Sequence, residues 1–142
     1  MPNVSPSAGF VALTLQRWFD NSPGFAALLR GHEYVLEMAN QAYFQMIGSR
    51  DILGQPLFSA LPDIRNQGLE ALLDKAYSTG ETVTIKGKRI FLQRAPNTPL
   101  AEVFTDFSCQ PVNEGDGSIS GIFLQGYDVT EQHRAMQALR ES

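Results

Sequence analysis

The chain has 142 residues, 43% of them hydrophobic and 18% charged, with a net charge of −4, which predicts one soluble domain with a single buried core and excludes a disordered chain. The negative balance argues against a nucleic-acid surface, which needs a basic face, and no apolar run approaches the roughly 18 residues of a membrane span. Cys109 is the single cysteine, so an internal disulfide and a multi-thiolate metal site are excluded, and a reducing cytoplasm fits.

Residues 1–8 hold two prolines, two serines and an asparagine and read as a loose lead-in. The start lacks a basic segment, and Gln16 and Arg17 interrupt its apolar stretch, so it is not a signal peptide. Val11, Leu15, Trp18 and Phe19 recur at helical spacing and predict a short amphipathic helix, ended by Asn21-Ser22-Pro23-Gly24. Two short strands follow, 25–29 and 34–38, joined by a tight turn at Arg30-Gly31-His32-Glu33. Asn40 is a candidate cap for a helix with Tyr43, Met46 and Ile47 on one side and Gly48 at its end. Pro56 suits the first turn of another short helix, and Pro62 closes that segment.

The strongest helical stripe is Leu69, Leu72, Leu73, Ala76 and Tyr77, with Glu70, Asp74 and Lys75 opposite and Gly80 as its stop. After Gly80 the period changes from 3.6 to 2. Val83 and Ile85 share one parity and Ile90 and Leu92 the other, so Gly87 between them predicts a bulge that resets the facing. A loop at 96–99 leads into a long strand. Val103, Thr105, Phe107, Cys109 and Pro111 occupy one face of it; Glu102, Phe104, Asp106, Ser108 and Gln110 occupy the other. A turn at 113–117 leads to the last strand, 119–127, with Ile122 and Leu124 on one side and Phe123 and Tyr127 on the other. The order of elements is an α+β layout: an antiparallel sheet with its helices gathered on one face.

Four stretches, in this order, resemble the PAS fold, the sensor module common in bacterial signalling proteins. "MANQAYFQMIG" (38–48) looks like its Asn-x-Ala first helix ending in glycine. "RDILGQPLFSALP" (50–62) is similar to the Gly-x-Pro passage that follows. "DGSISG" (116–121) is similar to the last hairpin, and "YDVTEQHRA" (127–135) looks like the closing Asp-x-Thr signature. The likeness runs from about residue 22 to 133. It implies a five-stranded antiparallel sheet, with residues 1–21 as lead-in and amphipathic helix, 22–130 as the sensor domain and 131–142 as the start of a signalling helix. The relatives it suggests are sensory-box modules of histidine kinases or of cyclic-dinucleotide enzymes.

Thr130 is a good N-cap for a helix beginning at Glu131, and Asp128 can accept backbone N–H bonds. Those two residues either cap a helix and nothing more, or form a lever that passes movement of the sheet to the departing helix, as the resemblance implies. Val129, Met136 and Leu139 fit heptad positions a, a and d, with Gln132 at the first d. The chain ends within that helix without a cap, so it reads as a module of a longer protein whose effector domain lies downstream.

In the fold implied by the resemblance, ligands sit between the helices and the concave sheet face. Alternation aims Val103, Thr105, Phe107 and Cys109 inward, beside Ile122, Leu124 and Gly126, with Tyr43, Met46, Leu72 and Leu73 closing the space. Gly126 would leave room and Thr105 would offer a hydrogen bond. The alternative is a core packed without a cavity. On the opposite face Phe104, Phe123 and Tyr127 need covering. The amphipathic helix with Val11, Leu15, Trp18 and Phe19 either covers them within one subunit or, as favoured here, joins them in a two-fold dimer.

The cofactor stays unknown. Heme-binding relatives hold iron through a His on the long helix, which has none here; His32 falls in a turn and His133 in the exit helix. Covalent-flavin relatives need a Cys in a helical Asn-Cys-Arg-Phe motif, which is absent, and Cys109 on a strand reads as a small buried hydrophobe. No metal motif and no catalytic arrangement is visible. The resemblance implies a cytoplasmic sensory and dimerisation module, with a sensor histidine kinase as the favoured parent, without catalysis of its own. Two others stay open: an association module with no small ligand, and a small α+β enzyme using a buried carboxylate, for which Asp106 or Glu102 would have to lie in a deep pocket.

Overall fold

Proline at a first helical turn loses no hydrogen bond, and helix α1 runs Pro6–Asn21 in the computed structural model, which describes residues 6–142. The lead-in expected over 1–8 thus lies mostly outside the described residues, and its last part is helical. Strands β1 (Phe25–Arg30) and β2 (Val35–Ala39) form the first hairpin. Tyr34, expected to open β2, instead sits in the turn at φ 54°. Its buried ring is held there because its hydroxyl donates to Asp74, 2.5 Å away.

Asn40 starts α2 (Gln41–Met46) as expected, its side chain accepting the Tyr43 N–H at 3.0 Å. The same amide accepts from Ala26 N and donates to the Gly24 carbonyl, at 2.9 and 2.8 Å. One fully buried side chain therefore fixes a helix start against the first strand. Pro56 caps α3 (Leu57–Ala60), and Pro62 opens a 3₁₀ turn (Pro62–Ile64) where the sequence suggested only a stop. The difference follows from its fixed φ, which suits a first turn. Helix α4 (Leu69–Thr79) runs between two left-handed glycines, Gly68 and Gly80.

Strands β3 (Val83–Leu92), β4 (Ala101–Asn113) and β5 (Ile119–Asp128) complete one antiparallel sheet in the order β2-β1-β5-β4-β3. The register slips between Ile85 and Lys88, with Gly87 at φ 67°, so the parity change read from the sequence is a bulge. The 3₁₀ turn is stapled to the end of β3. Arg50 donates two hydrogen bonds to Asp63, at 2.7 and 3.0 Å, and Asp63 also accepts the Gln93 N–H at 2.8 Å. Gln67 exchanges two 2.7 Å bonds with the backbone of Phe91.

One core fills the space between α2–α4 and the inner sheet face. Leu29, Leu36, Ile47, Leu61, Val103, Cys109 and Ile122 are its largest fully buried apolar side chains; burying a side chain of this kind contributes about 1.5–3 kcal/mol. Helix α5 (Thr130–Glu141) leaves from β5 and turns to the other face, where His133 stacks on Phe104 with ring centroids 3.7 Å apart and planes 11° apart. Glu102 lies 3.6 Å from Arg134 and 3.5 Å from Arg89.

Candidate functional site

Behind the sheet lies a cavity of about 50 Å³ with an almost wholly apolar lining. Strands β1, β3, β4 and β5 contribute Phe25, Ile90, Leu92, Thr105, Phe107 and Leu124; α2 and the residue after it contribute Tyr43, Met46 and Ile47. The floor opposite comes from Leu57, Phe58, Leu61 and Ile64, with Leu69 and Leu73 of α4. Two of the lining residues, Thr105 and Tyr43, carry hydroxyls, but almost none of the cavity's own surface is polar. Thr105 donates to the Lys88 carbonyl at 3.1 Å, which leaves its lone pairs to accept. The Tyr43 phenol makes no hydrogen bond with any described residue. Burial pushes it above the ordinary tyrosine range, and Arg50 opposes that only in part.

Of the residues expected around a pocket, Tyr43, Met46, Leu73, Thr105, Phe107 and Leu124 meet at this cavity. Val103, Cys109 and Ile122 are buried in the core beside it without lining it, and Leu72 is half-buried on α4. Gly126 corrects an expectation. A Cβ there would stand 2.0 Å from the Asp106 carbonyl oxygen and 2.6 Å from Phe107 Cβ. Glycine is needed for β4 and β5 to approach, and it leaves no room for a ligand. The sequence reading missed the floor, although Leu57, Leu61 and Ile64 recur at helical spacing; the two prolines hid that stripe.

Burial pushes the Cys109 thiol up to about 12. His32 packs on Tyr77 with centroids 4.3 Å apart, and His133 stacks on Phe104. Among the described residues no group of three His, Cys, Asp or Glu is placed to hold a metal. Asp106 lies on the outer face, accepting the Gly87 N–H at 2.7 Å, and Glu102 sits between two arginines. Neither carboxylate lines the interior cavity.

The joint after β5 is tied to β4. Asp128 accepts the Thr130 N–H at 3.0 Å and its hydroxyl at 2.5 Å. The Thr130 oxygen in turn accepts the Phe104 N–H at 2.9 Å, and Val129 N–H donates to the Phe104 carbonyl at 2.7 Å. This corrects the expected cap. Thr130 is the first helical residue, and its oxygen is committed to β4, so Asp128 takes over the capping acceptor from two residues upstream. Phe104 is covered by α5 and not by α1, Phe123 is half-buried, and Tyr127 is exposed. In α1, Val11, Leu15 and Trp18 are exposed, by 68% for Trp18, while Phe19 is half-buried.

A five-stranded antiparallel sheet cupping helices around an apolar cavity, with a helix leaving from the last strand, defines an α+β module of one sheet with its helices on the inner face. A family model described as the PAS fold matches residues 19–134, and the chain belongs to that family. Solved structures share the fold. The PAS domain of Bordetella pertussis BvgS is 17% identical, with a TM-score of 0.64, over 97% of this chain and 100% of that one. A sensory box sensor histidine kinase of Vibrio cholerae is 20% identical, with a TM-score of 0.57, over 87% and 95%. An RNA-binding Light-Oxygen-Voltage receptor is 20% identical, with a TM-score of 0.72; 99% of this chain covers 39% of that receptor. Among the described residues no helix is long and apolar enough to cross a membrane.

Proposed function

We propose that this PAS domain is the cytoplasmic sensory and dimerisation module of a bacterial signal-transduction protein, a sensor histidine kinase being the favoured parent, with no catalysis of its own. A small ligand biases the core behind the sheet, and the bias passes through Asp128 and Thr130 to α5 and on to an effector domain. The carrying observation is continuity: β4 lines the cavity with Thr105 and Phe107, and its neighbouring residue Phe104 holds the first turn of α5 by both backbone groups and its ring. A ligand shifts such an equilibrium only through its different affinities for the two states. The exposed stripe Val11, Leu15 and Trp18, with Phe19 beside it, supports a two-fold dimer joined by α1 and continued by Phe123 and Tyr127 of the sheet.

Native mass spectrometry of the purified chain tests this, reading subunit count and bound mass together. Thr105→Leu should abolish ligand binding; undiminished binding in that variant counts against the cavity. The second reading, an association module without a small ligand, is favoured by the cavity's size. About 50 Å³ is a third of the ~150 Å³ that holds benzene. A dimer with no bound or bindable small molecule would establish it.

A further inference from the structure

Two pockets share a wall. Phe25 and Met46 line the interior cavity and also a surface pocket of about 170 Å³. Phe25 is buried and Met46 half-buried. Methionine is unbranched and turns about three bonds, so this wall opens at small cost. The outer pocket is of the size that holds benzene, ~150 Å³, where the inner one is not.

The rim of the outer pocket carries opposite charges, Arg94 and Asp128. Arg94 is exposed and joins none of the ion pairs among the described residues, which use Arg30, Arg50, Arg89 and Arg134. It does not pair with Asp128. Asp128 spends Oδ1 on Thr130, and no described residue hydrogen-bonds its other oxygen. An unpaired guanidinium and a half-used carboxylate on a pocket of mixed lining, with Pro23, Phe25, Ala42 and Met46 as its apolar part and Gln45 beside them, are complementary to a molecule with a carboxylate, an ammonium and a short apolar chain.

We infer that the ligand is a zwitterion of the α-amino-acid class with an apolar side chain. Its carboxylate meets the Arg94 fork, its ammonium meets Asp128, and its side chain passes Met46 and Phe25 into the cavity. This rests on the reading that the cavity accepts a ligand. It adds a direct route to α5, because an ammonium on Asp128 draws on the carboxylate that closes the helix's first turn.

The probe is L-leucine, titrated calorimetrically into the full chain, with 4-methylpentanoate lacking the ammonium, isoamylamine lacking the carboxylate and glycine lacking the apolar group. Leucine should bind; 4-methylpentanoate and isoamylamine should each lose at least about tenfold, as one well-made charged contact is worth, and glycine at least about tenfold for its missing apolar area. Arg94→Gln and Asp128→Asn should each cost leucine at least about tenfold while leaving the circular dichroism unchanged, and Arg94→Gln should leave the weak binding of isoamylamine as it was. Leucine binding that ignores both substitutions overturns the head-group assignment and spares the cavity. Binding of isoamylamine or 4-methylpentanoate as tight as leucine's does the same. Failure of all four probes, together with a Thr105→Leu variant that still retains a co-purified molecule, overturns this inference and the cavity reading separately.

Discussion

Asn40 is fully buried, yet three of its hydrogen-bonding positions are occupied, by Gly24, Ala26 and Tyr43. Leaving such partners unpaired costs more than the bonds themselves stabilise. Asn40→Ala should therefore lower the unfolding free energy by about 2–4 kcal/mol, read from the urea midpoint; a loss within that of a surface substitution would refute the role given to this amide. Cys109 tests burial chemically. Fully buried and with its thiol raised to about 12, it should resist iodoacetamide in the native chain at pH 8. Reaction should rise at least ~100-fold in denaturing urea, where the thiol returns to about 8.5. Asn40 could be read from the sequence as a cap, but its bonds to Ala26 and Gly24 could not, because they span 14 and 16 residues.

Two elements depend on side-chain staples. The 3₁₀ turn is held by Asp63. Burial alone would raise its carboxyl, but the Arg50 hydrogen bonds and the Gln93 N–H outweigh that and hold it below the usual carboxylate range. A lowered folded value means that the stabilisation is complete above the unfolded value, about 3.9, and is lost as pH falls through the folded one. The urea midpoint should therefore decline below about pH 4. Asp63→Asn should remove this component of the decline and cost about 1.5–3 kcal/mol at pH 7. The start of α5 depends on Asp128 and Thr130. Asp128→Ala should weaken the cap by about 0.5–2 kcal/mol and speed amide exchange in the first turn of α5 while leaving α4 unchanged. Equal exchange in both forms would show that β4 alone anchors the helix. Local spacing marked α5 as a capped helix; which residue supplies the capping oxygen was decided by Phe104, 26 residues from Thr130.

At the scale of the molecule, α1 presents Phe10, Val11, Leu15 and Trp18 to solvent, with Trp18 68% exposed. An exposed apolar stripe on a helix is a candidate interface, and central aromatics carry much of an interface's energy. If α1 joins two copies, Trp18→Glu should weaken the dimer at least about tenfold in sedimentation equilibrium without changing the thermal midpoint of the sheet. A wild-type chain that stays monomeric at high concentration would remove dimerisation from the proposed function.

The sequence by itself determined most of the elements, the parity of β3, β4 and β5, the bulge at Gly87 and the family, because each is written within a few residues as a period, a cap or a turn. The tertiary structure alone decided which inward residues border open space, that Gly126 serves strand approach, that Phe104 lies under the exit helix, and that Arg94 and Asp128 share a rim. These are facts about distances between segments far apart along the chain. The period of a strand says which way a side chain points, but not what stands opposite it.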